Sequence, residues 1–104
     1  MNPEPQLDSE IHSLTRVRLW SVLRPVDTAE FRAITGALGL SEANLSKTIR
    51  KLTEIGYVAV VKAPSTDRDD LRRTTTVKLT DLGKSAFDAH VAALHAIVKR
   101  SEPT

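Results

Sequence analysis

Between Ser41 and Lys51 the chain gathers side chains that suit contact with a nucleic acid: Ser41, Asn44, Ser46, Lys47, Thr48, Arg50 and Lys51. An asparagine amide can pair bidentately with adenine, and a lysine can donate to guanine O6 and N7. The hydroxyls of Ser41, Ser46 and Thr48 suit phosphate oxygens, as do the cations of Arg50 and Lys51 one turn further on. A second set, Arg68, Arg72 and Arg73, lies in a polar stretch downstream. Guanidinium groups exploit the negative potential of a narrow minor groove. Each set also has a plainer reading. Lys47, Arg50, Lys51 and Glu54 can form a merely solvated helix face, and the downstream arginines can pair with Asp67, Asp69 and Asp70. Glu42 suits the start of a helix but repels phosphate unless it accepts from cytosine.

The elements that position these residues decide between the readings. Leu45, Ile49 and Leu52 recur at i, i+4 and i+7, which predicts a helix from about Glu42 to Ile55, ended by Gly56. Ala43, Asn44, Lys47, Arg50, Lys51 and Glu54 then share the opposite face. Just upstream, Leu38-Gly39-Leu40-Ser41 is sharp punctuation: Gly39 can take the left-handed conformation that ends one helix, and Ser41 can cap the next. The preceding helix carries Phe31, Ile34 and Leu38 on its core face. It opens on Asp27-Thr28-Ala29-Glu30, a sequence resembling a capping box, and Gly36 within it suggests close packing. Two helices joined by so short a turn cross steeply. A first helix is expected from Leu7, with Ile11, Leu14, Val17, Leu19, Trp20, Val22 and Leu23 on a broad apolar face, ending at Arg24-Pro25.

After Gly56 the period changes. Tyr57–Lys62 and Thr74–Leu79 read as strands, and the polar, proline-broken stretch between them reads as an extended loop. Thr80-Asp81 caps a last helix reaching about Arg100, with Leu82, Ala86, Phe87, Val91, Leu94, Ile97 and Val98 along one stripe. Leu82 and Phe87 suffice to close the body. The continuation through Val91, Leu94, Ile97 and Val98 therefore calls for a partner, either the first helix of the same chain or a second subunit, and the second is favoured. Trp20 is a core residue by spacing and also a candidate for that subunit interface.

The composition narrows the function classes. The 104 residues suffice for one domain: an arm over 1–6, a body over 7–100 and a tail over 101–104. The absence of cysteine excludes disulfides and thiolate chemistry. No apolar run approaches the roughly 20 residues of a membrane span. The polar, acidic N-terminus is unlike a signal peptide, so a cytoplasmic protein is expected. Fifteen basic and thirteen acidic residues leave a net charge of +2, too small to argue for a polyanion without regard to where the charges sit. His90 and His95 are five apart, which does not align them as paired helix ligands, so no metal is expected. No phosphate-binding glycine loop or nucleophile elbow appears, so neither an enzyme nor a cofactor is expected.

The order helix, helix, turn, helix, strand, loop, strand, helix is that of a winged helix-turn-helix, a mainly α fold with a small β-hairpin. The chain resembles the short members of the MarR-like winged-helix transcriptional regulators over roughly residues 7–98. The residues that carry the resemblance are Ile11-His12 with Arg16-Val17-Arg18-Leu19, then Leu38-Gly39-Leu40-Ser41, Asn44-Leu45-Ser46-Lys47, Leu52 and Gly56-Tyr57-Val58. Asp70 with Arg72-Arg73, Val77-Lys78-Leu79-Thr80 and Gly83 complete the set. The resemblance implies a homodimer on double-stranded DNA. Its third helix, about 42–55, lies in the major groove, and a wing, about 63–74, lies on the backbone or minor groove. It also implies that Asp70 holds an arginine of the pair in position. The chain departs from the family in its short terminal helices, which leave any effector unidentified, and in Asp67 and Asp69, which weaken the wing's attraction for phosphate. The alternative from the residues alone is a winged helix that docks a protein rather than DNA.

Overall fold

The apolar stripes converge on one core. Ile11, Leu19, Trp20, Leu23, Ile34, Leu38, Leu45, Ile49, Leu52, Val58, Val77 and Leu79 are all buried together. They come from α1 (Leu14–Leu23), α2 (Phe31–Leu38), α3 (Glu42–Glu54), β2 (Val58–Pro64), β3 (Arg73–Leu79) and the segment before α1. A short β1 (Thr28–Glu30) and a long α4 (Asp81–Ser101) complete the order. The computed structural model describes residues 4–64 and 73–101. The sheet is antiparallel with strand order β1-β3-β2. This is a winged-helix fold, as the sequence predicts.

Several local expectations are corrected. The first helix begins at Leu14 rather than Leu7, because the Ser13 hydroxyl accepts from the Arg16 N–H at 3.2 Å and caps it there. The segment before it is pinned across the body instead. The Gln6 N–H donates to the Ala89 carbonyl at 3.0 Å, and the Asp8 N–H donates to His90 Nδ1 at 2.9 Å. Ile11 thus reaches the core without being helical, while Leu14, expected inside, is 74% exposed.

Asp27 to Glu30 forms no capping box. Asp27 has a φ of 67°, and its carbonyl accepts from the Leu79 N–H at 2.9 Å. Its carboxylate meets Lys84 Nζ at 2.9 Å, a contact that holds it below the usual carboxylate range. Thr28, Ala29 and Glu30 then pair with Lys78, Val77 and Thr76 as β1. The Asp27 N–H donates instead to the Leu23 carbonyl at 2.7 Å, and α2 starts at Phe31 with no side-chain cap. Nor is Gly36 a point of close packing: it is exposed, and a Cβ there would meet nothing within 4 Å.

Trp20 is core and not interface. It is fully buried within its own chain, stacked on Phe87 at 6.3 Å and edge-on to Tyr57 at 5.9 Å. Its indole N–H donates to the Gly83 carbonyl at 3.0 Å, which satisfies its one polar group. Leu82, expected to close the body, is 56% exposed, and Gly83 is buried in its place. The first turn of α4 lies against the β2 entry so closely that only a residue without a side chain fits inward.

Candidate nucleic-acid interface

The turn between α2 and α3 forms as its residues dictate. Gly39 caps α2 with φ 66° and ψ 30°, and its N–H donates to the Thr35 carbonyl at 2.9 Å. Ser41 then caps α3, its hydroxyl accepting from the Asn44 N–H at 3.1 Å. That hydroxyl still has a hydrogen to donate. Burial of Leu45, Ile49 and Leu52 fixes the rotation of α3, so Asn44, Ser46, Lys47, Arg50 and Lys51 are all exposed. Thr48 is half-buried on the flank facing α1. Glu42 in the first turn and Lys51 in the last complement the helix dipole.

Two grooves run beside α3. One, of about 250 Å³, lies between α3 and the start of α1, where Asn44, Lys47 and Thr48 face Ser13, Thr15 and Arg16. The other, of about 450 Å³, lies between α3 and the sheet, where Ser46, Arg50 and Thr53 face Val60, Lys62 and Thr75. Sequence reasoning passed over Ser13, Thr15, Lys62 and Thr75. A signal for Lys62 did exist, because it continues the alternation of Val58 and Val60 on the inward face of β2.

β2 and β3 form the two-stranded base of the wing, paired from Val58↔Leu79 out to Pro64↔Arg73. Arg73 is the first residue of β3. Arg68 and Arg72, together with Asp67, Asp69 and Asp70, lie outside the described residues.

On the remaining face, α4 divides its surface. His90 and Ala93 are buried, Val91 and Leu94 are half-buried, and Ile97 and Val98 are 47% and 60% exposed. His90 is therefore a packing residue whose ring lies edge-on to His12 at 6.0 Å, whereas His95 is exposed. Among the described residues no cluster of three or more histidine, cysteine or acidic side chains is placed to hold a metal. Also among them, no helix is long and apolar enough to cross a membrane. Beside α4, the Tyr57 hydroxyl donates to the Asp8 carboxylate, and that bond, with burial, pushes the phenol up to about 12.

Residues 15–98 match the model of a family described as the winged helix DNA-binding domain. The chain belongs to the winged helix DNA-binding domain family. Among solved structures, this winged-helix domain is similar to a transcriptional regulator homologue from Pyrococcus horikoshii, with a TM-score of 0.80 and 26% identity, covering 90% of this chain and 89% of that one. It shares the fold of the PcaV transcriptional regulator from Streptomyces coelicolor, with a TM-score of 0.68 and 18% identity over 90% of this chain and 62% of that one. An uncharacterized protein of Methanocaldococcus jannaschii is 28% identical over 91 residues, 88% of this chain and 95% of its own. The chain thus carries the fold of a domain family described as DNA-binding.

Proposed function

We propose that this winged-helix domain regulates transcription as a homodimer that binds a specific sequence of double-stranded DNA. In this reading α3 enters the major groove, and the wing reaches the backbone or the minor groove. One observation carries the reading: burial of Leu45, Ile49 and Leu52 turns Asn44, Lys47, Arg50 and Lys51 outward, beyond a turn that leaves the N-terminus of α3 open. The major groove is about 12 Å wide and admits one helix, whose early residues come nearest the base edges. Asn44 and Lys47 hold such positions. Ser41, Ser46, Thr48, Arg50 and Lys51 contact the backbone, with Arg68, Arg72 and Arg73 added from the wing. Similarity to the Pyrococcus horikoshii regulator homologue over most of both chains supports the regulatory role.

The second subunit covers Val91, Leu94, Ile97 and Val98 on α4. Two-fold symmetry then sets half-sites about 34 Å apart, one turn of the duplex, or a multiple of that. The test begins with selection of bound fragments from a random duplex library. Lys47→Ala with Arg50→Ala, both exposed, is expected to abolish the mobility shift on the selected fragment and to leave the far-ultraviolet circular dichroism unchanged. An undiminished shift would remove α3 from the interface. If the domain docks a protein instead, library selection yields no consensus, and duplex binding at physiological salt is weak and indifferent to sequence.

A further inference from the structure

We propose that the grooves on either side of α3 seat the two phosphodiester backbones that border the major groove, with Lys62 and Thr15 supplying contacts from outside α3. This rests on the reading of α3 as the helix that enters DNA. A helix with its side chains is about 10–12 Å across, and the groove that receives it is about 12 Å wide. The helix therefore fills the space, and the two backbones must pass along its flanks. The flanks of α3 are concave on both sides.

Each concavity is lined by a cation from α3 and by polar groups from a neighbouring element. On the α1 side these are Lys47 with Ser13 and Thr15, and on the sheet side they are Arg50 with Lys62 and Thr75. Lys62 is the telling residue. Side chains alternate along a strand, so Val58, Val60 and Lys62 point to one face of β2. Val58 is buried, Val60 is packed against the core, and Lys62 is exposed. Opposite them on β3 stand Leu79, Val77 and Thr75. The inward face of the sheet thus changes from apolar to cationic and hydroxylic where it leaves the core and faces Arg50. Glu54 lies one turn beyond Arg50, so this groove holds two cations against one carboxylate. Among the described residues neither Arg50 nor Lys62 is in an ion pair. Two unpaired cations brought together from separate elements fit a monoanionic phosphodiester better than they fit each other.

The test measures affinity against salt by fluorescence anisotropy, on the selected duplex and on a scrambled duplex. Lys62→Ala is expected to lower the log–log slope by about 0.9 for each protomer bound. It should weaken both duplexes by the same factor, about tenfold, because a phosphate contact carries no sequence information. Lys62→Arg should retain the slope, and Lys99→Ala, on the far end of α4, should match the wild type. Thr15→Ala should weaken both duplexes about fivefold with the slope unchanged, since its hydroxyl is uncharged. A Lys62→Ala protein with wild-type slope, alongside a Lys47→Ala/Arg50→Ala protein that fails to bind, would overturn the seating and leave the reading of α3 intact. Loss confined to the selected duplex would also overturn it, by making Lys62 a base reader. A wild-type protein without salt-dependent duplex binding would end both.

Discussion

A Cβ placed on Gly83 would lie 2.1 Å from the carbonyl oxygen of Tyr57. No side-chain rotation relieves that overlap, because the obstructing atom is backbone. Gly83→Ala must therefore push α4 away from the start of β2, and with it the carbonyl that accepts the Trp20 indole N–H. Overpacking of this kind costs about 3 kcal/mol. Gly36→Ala is the matched control: open space and an exposed helical position should stabilise the protein by up to about 1 kcal/mol. Urea denaturation of the two variants checks the opposite signs. Equal effects would show that Gly83 is not packed in this way.

Tyr57 is the only tyrosine, so its ionisation can be followed directly by ultraviolet difference absorbance. Its phenol is raised from 10.0 to about 12, chiefly by donating to Asp8. A group raised on folding binds its proton more tightly in the native state. Its contribution to stability is therefore complete below pH 10 and is lost as pH rises through about 12. Tyrosinate absorbance in the folded protein should accordingly appear late. Asp8→Ala should bring the midpoint down toward 10.0, and a midpoint that Asp8→Ala leaves in place would detach the shift from Asp8.

Val98 is 60% exposed on the isolated chain, at the end of the Val91, Leu94 and Val98 series. At an exposed site, Val98→Glu is worth at most about 0.5 kcal/mol to the fold. Beneath a second subunit, the same carboxylate is desolvated without a partner. The expected outcome is a folded monomer by light scattering, with binding to two-fold symmetric duplex weakened more than binding to a half-site. A Val98→Glu protein that stays dimeric would put the contact on another surface.

What could be read directly from the sequence was local. The Leu38-Gly39-Leu40-Ser41 turn and the Leu45, Ile49, Leu52 stripe each depend on residues within a few positions, and both formed as read. β1 could not be read, since its pairing partner lies some fifty residues away and its own residues resemble a helix start. Leu82 and Gly83 traded places for a related reason: helical periodicity does not reveal how near another backbone comes. The stretch before Ser13 looked helical because Ile11 and Leu14 fit the period. His90, Ala89 and Tyr57, all remote in sequence, hold it elsewhere. In the proposed interface, α3 carries its own signal in the sequence, whereas Lys62 and Thr15 become candidates only once strand and helix are placed beside it.

Thr80 gives the molecule a rigid elbow. Its hydroxyl donates to the Gly56 carbonyl at 2.6 Å and accepts from the Gly83 N–H at 3.0 Å, while its own N–H donates to the Tyr57 carbonyl at 3.1 Å. The residue just past α3 and the first turn of α4 are thereby locked to one side chain, with no slack between them. α4 is a rod of 21 residues, about 31 Å long. In the homodimer proposed above, joined through α4, the separation of the two α3 helices would follow the angle at which the long rods cross.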